Sequence, residues 1–294
     1  MNSENQNTTD QGIIMLRHPV IPLVKILQLL YLTGPHLKIS DLLDEFQEPF
    51  ETGGATYDNP GRILKSYLPD LDILEFMKNN DPLPWTILNE EYEQVDRLES
   101  IGLMVTHRVL TRELETINSL LCGPCNCALC CIGPDEKMLQ DFFEIPLMEQ
   151  ETAFFNLPKI STKDSTSQSP NSEPPLDIDG QPFYHSSPAV YKWESGWSLI
   201  LPRQSSCPQL GHNNACLIYP DRPMTCRRPQ IFAYALEPHP DINNQVEGLI
   251  IPSYIARNKI LAIWDCPYVR EFKQKIAEYA EMSELEPVFK TNKS

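Results

Sequence analysis

The sequence predicts an α+β fold, in which a helical N-terminal half is followed by a small mixed α/β domain. Residues 13 to about 121 have the apolar spacing of helices, interrupted by proline and glycine. From Gln181 onward, short apolar segments bounded by turn residues are typical of strands. A third observation concerns cysteine: five of the nine cysteines fall within residues 122–131, where the second part begins.

Composition and charge exclude several classes of protein. The 294 residues include 40 acidic and 24 basic ones, for a formal charge of −16. Such a chain is repelled by nucleic acid and by anionic membranes. The best apolar stretch, 20–32, is shorter than the roughly 20 residues of a membrane span. With no signal-like start, we expect a soluble cytoplasmic protein whose thiols stay reduced.

The first half is predicted to consist of helices between polar ends. We expect residues 1–12 to be a disordered tail and residues 285–294 to be a second tail. One helix is expected at 20–32, and a second is expected to begin at Ser40, which can cap it. A third is expected over 90–121, with a break near residues 101–102. Region 13–117 is acidic. Its charge indicates either a solvated helical face or a docking face for a basic protein partner.

The second half is predicted to be one cysteine-cluster domain over 118–284, with a Ser/Pro-rich loop at 159–178. Its predicted elements are a short helix near 135–143, strands at 189–193, 197–201, 230–236 and 248–251, and a helix over 267–284.

The first cysteine group has the spacing of metal-binding loops. It comprises Cys122, Cys125, Cys127, Cys130 and Cys131. A gap of two residues lets two thiolates reach one ion, and the gap occurs twice, at 122/125 and 127/130. Adjacent cysteines seldom bind the same ion, so the pair at the end favours two metal positions or a polynuclear cluster.

The other four cysteines are more widely spaced. Cys207, Cys216 and Cys226 are separated by eight and nine residues, so a folded scaffold has to bring them together. Cys266 stands just before the last predicted helix, where the helix N-terminus favours a thiolate. The alternative for Cys266 is a buried inert thiol. All nine cysteines are candidate metal ligands.

Polar residues near Cys226 are candidates for a supporting role. Arg222 and Arg227, with Arg228, either offset the charge of a thiolate centre or receive an anionic substrate or cofactor group. The alternative for Arg222 is an ion pair that holds the loop. His212, between Cys207 and Cys216, is either a ligand or an exposed turn residue, and Tyr219 is expected to pack against the site.

The second cysteine group and its flanks resemble a known family. The residues that carry this resemblance are Cys207-Pro-x-Leu, Cys216-x-Ile-Tyr, Arg222-Pro, Cys226-Arg227 and Pro229, together with Cys127-x-x-Cys130-Cys131. The pattern is similar to the YkgJ-type cysteine-cluster family, a zinc- or iron-chelating CxxCxxCC domain, over residues 118–270. One difference is that Cys125 and Cys122 lie two and five residues before Cys127, where the family usually has one cysteine at three.

The resemblance implies metal binding, with zinc and iron both open. Some relatives resemble flagellin lysine methylases, although no methyl-donor motif is visible in this sequence. Soft thiolates select zinc, copper(I) or iron–sulfur. We therefore expect an iron–sulfur or polynuclear iron/zinc thiolate centre with redox or protein-modifying activity. The alternatives are a structural zinc module that acts as a protein-interaction scaffold, and a metal carrier or sensor.

Overall fold

The computed structural model describes residues 3–52, 54–185, 187–239, 244–246 and 249–291, and it confirms the α+β class. The helices are α1 Ser3–Arg17, α2 Ile21–Thr33, α3 Ile39–Glu45, α4 Pro60–Lys65, α5 Leu68–Leu71, α6 Arg97–Cys125, α7 Lys163–Thr166, α8 Pro267–Glu271 and α9 Lys273–Met282. Short 3-10 helices cover Asp72–Met77, Glu149–Phe154, Phe183–His185, Tyr219–Asp221 and Met224–Arg227.

Most of the described strands lie in the second half, as the sequence predicts, and three short ones lie in the first half. The strands are β1 Phe50–Thr52, β2 Ala55–Tyr57, β3 Thr86–Leu88, β4 Phe142–Leu147, β5 Lys159–Ile160, β6 Asp177–Ile178, β7 Gln181–Pro182, β8 Ala189–Trp193, β9 Gly196–Pro202, β10 Ile231–Pro238, β11 Asn244–Val246, β12 Leu249–Ile251, β13 Ser253–Ile263 and β14 Glu286–Lys290. The predicted strands correspond to β8, β9, β10 and β12. Gly248, the predicted start of the last one, lies outside the described residues.

Two four-stranded sheets contain eight of these strands, and the first sheet includes β3 from the first half of the chain. In the first, β13 pairs with β10 in antiparallel and with β14 and β3 in parallel orientation. In the second, the order is β4-β9-β8-β5, with only the β5–β8 pair parallel. The remaining pairs are the two-stranded β1/β2, β6/β7 and β11/β12.

The second sheet has a core on each face. One face carries Leu199 and Leu201 and contacts the half-buried Cys207 and Cys226. The other face buries Trp193 beside Phe183. The Ser/Pro-rich segment 159–178 contains β5 and α7 and contributes Leu176 to that second face. The cysteine segments therefore lie against the first face of this sheet.

Helix α6 is the central element of the fold. Asp96 caps it by accepting hydrogen bonds from the amides of Leu98 and Glu99. The helix continues without the break expected near residues 101–102. Gly102 lies against Gln28 of α2, whose side chain would be 3.0 Å from an added Cβ. The glycine thus allows close helix packing instead of ending the helix.

Both ends of the chain are structured where the sequence predicts tails. Residues 3–12 belong to α1, which lies close to α6: a Cβ added to Gly12 would be 2.7 Å from the Leu121 side chain. Residues 286–290 form β14, which pairs with β13. Residues 292–294 lie outside the described part. Near residue 135 the predicted helix is absent, and β4 begins at Phe142.

The largest hydrophobic core crosses the predicted domain boundary at 117/118. Helix α6 spans that boundary without interruption. Its buried side chains share one core with β10, β13 and the C-terminal helices, including Ile231, Ile260 and Ile276. The predicted helix at 267–284 is divided at Phe272 into α8 and α9. One core therefore includes residues from both sides of the 117/118 boundary.

Among the described residues, no single helix has the length and apolar character needed to cross a membrane. The segment Gln6–Arg17 and α2 satisfy the criterion only when taken together, and they are bent by 44° relative to each other.

Glu113 is a fully buried carboxyl group that joins three helical segments. It accepts hydrogen bonds from the Val20 amide at 3.0 Å and from the Tyr279 hydroxyl at 2.6 Å. Burial raises its pKa to about 7, against the lowering effect of both hydrogen bonds. Burial also raises the pKa values of the facing Tyr57, Tyr67 and Tyr279, so these groups stay neutral around pH 7.

We expect Glu113→Gln to remove a pH dependence of stability. A carboxyl group with a raised folded-state pKa stabilises the fold when protonated, so its contribution is lost as pH rises from about 4.5 through 7. The native protein should lose roughly 3 kcal/mol between pH 4.5 and 8 relative to the variant. Urea unfolding of both proteins across this range measures the difference, and parallel stability profiles would contradict the prediction.

Candidate metal centre

The first cysteine group lies where α6 ends and the chain turns sharply. Cys122 and Cys125 are on the last helical turn. Asn126 and Ala128 have left-handed φ values of 48° and 56°, and the Cys131 amide closes a turn on the Ala128 carbonyl at 2.8 Å. This reversal points Cys127 back toward the end of α6. The 127/130 spacing alone would instead pair Cys127 with Cys130.

Three cysteines from three backbone segments converge on one point. The Sγ atoms of Cys125, Cys127 and Cys266 all lie within 4.8 Å of one another. Cys125 ends α6, Cys127 follows the turn, and Cys266 directly precedes α8 and is fully buried. We call these residues the triad. Cys266, which has no cysteine near it in sequence, therefore has two thiol neighbours in space.

Hydrogen bonds concentrate negative charge on one sulfur of the triad. The thiols of Cys125 and Cys266 donate to Cys127 and hold its pKa well below the usual range. The hydrogen bond to Cys127 raises the pKa of Cys125, and hydrogen bonds to Cys125 and to Cys127 raise that of Cys266. Binding of a metal cation to these sulfurs would release their thiol protons.

Most of the other thiols line a cavity of about 740 Å³. The cysteines that line it are Cys122, Cys127, Cys130, Cys131, Cys207, Cys216 and Cys226. Only Cys127 belongs to both this set and the triad. We call the other six the cavity cysteines. The cavity wall also contains Phe143 and Ile145 of β4, together with Phe155.

Backbone pairing brings the two cysteine segments together. The Cys207 amide donates to the Cys131 carbonyl at 2.7 Å, and Ile132 forms an antiparallel bridge with Ser206. Gly133 is required for this approach, because an added Cβ would lie 1.9 Å from the carbonyl oxygen of Pro202. The widely spaced second group therefore reaches the first through a short β-like contact.

Burial raises the pKa values of three cavity cysteines, Cys122, Cys207 and Cys226. The pKa values of Cys122 and Cys226 rise to about 12. A hydrogen bond from the Cys131 thiol to Cys130 raises the pKa of Cys131 and lowers that of Cys130. Several adjacent buried thiolates repel one another, so their joint ionisation needs a bound cation.

The three arginines near Cys226 have different positions. Arg222 is 5% exposed, lines the cavity, stacks 4.0 Å over the Tyr219 ring, and donates to the Ser119 hydroxyl at 2.7 Å. Arg227 is exposed and donates to the Arg222 carbonyl instead of lining the cavity. Arg228 pairs with Glu115 at 3.1 Å. His212 is exposed and outside the cavity wall.

A buried polar network connects the segments that carry the cysteines. Tyr268 of α8 donates to Asn118 of α6 at 2.8 Å and accepts from the Gln230 amide at 2.6 Å. Asn118 also bonds the backbone of Ile231. Sequence reasoning missed these residues, although Asn118 lies on the apolar face of α6 between Leu114 and Leu121, and a polar residue at such a position is a detectable signal.

We expect Tyr268→Phe to lower the free energy of unfolding by about 1–3 kcal/mol. The change leaves the buried Gln230 amide without its acceptor, which costs the desolvation of that group. Chemical denaturation measures the loss. Tyr92→Phe, at an exposed tyrosine, is the matched control and should change stability by less than about 0.5 kcal/mol. Equal stability of the two variants would contradict this role of the network.

These features define an α+β protein with a clustered-thiol centre. Residues 121–247 match the family described as "CxxCxxCC: Putative zinc- or iron-chelating domain", which confirms the resemblance seen in the sequence. The match covers less than half of the chain, and Cys266 lies beyond it. No curated protein and no solved structure matches the chain.

Proposed function

We propose that this protein binds iron or zinc through its clustered thiolates and uses the resulting centre for redox or protein-modifying chemistry. The observation that carries the proposal is the triad, whose three Sγ atoms lie within 4.8 Å of one another. Two of its cysteines are separated by a sharp turn, and the third is distant in sequence. The family match over residues 121–247 supports the same class of ligand.

The donor set fits the proposed metals. Thiolates favour zinc and iron–sulfur over magnesium or calcium. The three sulfurs of the triad would leave the fourth position of a tetrahedral ion for another group, a pattern typical of reactive sites more than of closed structural ones.

The cavity cysteines are more numerous than the four ligands that one further tetrahedral ion would take. Six thiols lie beside the triad, and Cys130 and Cys131 are adjacent in sequence. This supply of sulfur favours an iron–sulfur or polynuclear iron/zinc centre in the cavity, as a second position next to the triad. Such a centre would supply electron transfer or Lewis-acid chemistry.

The alternative, a structural zinc scaffold, is less well supported by the geometry. Structural zinc sites are closed by four protein ligands, whereas these thiols line a cavity of about 740 Å³. We also propose a cytoplasmic location, because all nine cysteines are unpaired and a reducing compartment preserves thiols. A basic protein partner on the acidic helical surface is part of the scaffold alternative.

Anaerobic purification tests the proposal. We expect at least one equivalent of iron or zinc by elemental analysis, and broad visible absorption if an iron–sulfur centre is present. Colourless protein with stoichiometric zinc would favour the scaffold alternative. Protein without either metal, after refolding in the presence of iron, sulfide and zinc, would refute the proposed function.

A further inference from the structure

The thiol-lined cavity is larger than a metal centre requires. Its volume is about 740 Å³, within the range of roughly 300–1,000 Å³ for small-molecule sites. An ion held by thiolates at about 2.3 Å uses only a small part of that space. Phe143, Ile145 and Phe155 extend the wall beyond the cysteines with apolar surface. The cavity therefore has room for an organic molecule next to the metal.

Arg222 gives this space a positive charge, and although Glu144 also lines the cavity, it forms no ion pair with Arg222. Arg222 is 5% exposed, and none of the ion pairs found in the described part of the chain includes it. Burying a guanidinium is costly unless a negative group faces it, and the sulfurs of Cys122 and Cys226 are near enough that Arg222 opposes the rise in their pKa values caused by burial. The described residues therefore contain no ion pair between Arg222 and a carboxylate of its own loop, which the sequence analysis gives as the alternative role of Arg222.

The orientation of Arg222 leaves donors available for a ligand. Its guanidinium lies 4.0 Å over the Tyr219 ring, shares a side-chain hydrogen bond with Tyr219, and donates from Nη2 to the Ser119 hydroxyl. Both described hydrogen bonds go to hydroxyl groups and not to a cysteine sulfur. A guanidinium has five N–H donors arranged in a fork that fits a carboxylate or a phosphate.

We propose that the cavity binds a small organic anion beside the metal centre, with its carboxylate or phosphate group on Arg222 and its apolar body against Phe143, Ile145 and Phe155. This inference rests on the proposed function, because the anion is placed next to the thiolate centre. It adds a substrate or effector class to that centre: an amphipathic monocarboxylate or phosphate monoester.

Calorimetric titration of the anaerobically purified full chain tests the ligand class. The probes are hexanoate, hexyl phosphate, hexan-1-ol and hexylammonium, which share a chain and differ in the head group. We expect one-to-one binding of at least one anion, with the alcohol and the amine weaker by about tenfold or more. Whichever anion binds more tightly identifies the head group as carboxylate or phosphate.

Three variants locate the binding site. Arg222→Gln should weaken the anion by about tenfold and remove the preference over hexan-1-ol, and Arg222→Lys should retain part of it. Arg62→Gln, at an exposed arginine of α4 outside the cavity wall, is the matched control and should bind like the native protein. If Arg222→Gln does not fold, the comparison of head groups on the native protein still tests whether the cavity prefers an anion.

Absence of saturable anion binding, equal binding of the alcohol, or unchanged binding by folded Arg222→Gln would each overturn the inference. Metal content is measured in every sample. Metal-loaded protein that binds no anion refutes this inference alone, whereas anion binding by protein that cannot be loaded with metal supports the anion site and refutes the metal centre.

Discussion

Cys127→Ser is expected to remove the metal ion of the triad and to weaken binding at that position by more than about 100-fold. Loss of a group that only supports a ligand typically costs 10–100-fold, and Cys127 is itself the central thiol of the triad, receiving hydrogen bonds from Cys125 and Cys266. Cys125→Ser and Cys266→Ser should have similar effects. Elemental analysis after equilibration with a competing chelator measures the loss.

Cys216→Ser is the matched control, since it makes the same chemical change among the cavity cysteines and leaves the triad intact. We expect it to keep the triad ion and to lose metal only from the cavity. Cys127 belongs to the triad and also lines the cavity, whereas Cys266 belongs to the triad alone. Cys266→Ser is therefore the better variant to compare with Cys216→Ser. Loss of all metal in both Cys216→Ser and Cys266→Ser would show one shared cluster and would contradict two positions.

Leu110→Ala is expected to lower the free energy of unfolding by about 2–5 kcal/mol. Leu110 lies on α6 and is fully buried in the core that α6 shares with β10 and β13. Truncation of such a leucine loses transfer free energy and leaves a cavity. Urea unfolding measures the effect, with Leu98→Ala on the same helix, at a 42% exposed leucine, as the control that should change little.

The same variant tests whether the two halves of the chain share their stability. Native-state hydrogen exchange should show lower protection of the β13 amides as well as of the α6 amides in Leu110→Ala, because both elements pack on one core. Unchanged protection of β13 would contradict the shared core and favour the separate regions that the sequence predicts.

The periodic part of the fold could be predicted from the sequence, and its ends could not. Helix α2 and strands β8 and β9 have regular apolar spacing, and the prediction is confirmed there. The first residues of the chain are polar, and α1 packs on the core through Ile13, Met15 and Leu16 near its C-terminal end. Strand β14 likewise has a tertiary contact, its pairing with β13. Tertiary contacts of this kind leave little local signal.

The sequence was enough to predict which cysteines form the site, but not how they divide between the triad and the cavity. The spacing of the thiols indicated that they act together, whereas the pairs 122/125 and 127/130 suggested a different partition from the one found. The left-handed conformations of Asn126 and Ala128 turn Cys127 toward Cys125, and the core positions Cys266 beside them. Arg222 and Arg227 appear equivalent in sequence, yet only Arg222 is buried in the cavity wall.

X-ray absorption at the iron and zinc edges of the anaerobically purified protein tests the central claim most directly. If the clustered thiols hold the metal, the nearest shell should consist of sulfur, at about 2.3 Å for zinc. The sulfur count should fall in Cys266→Ser. A nearest shell of nitrogen or oxygen at about 2.0–2.2 Å, unchanged in that variant, would contradict a thiolate centre.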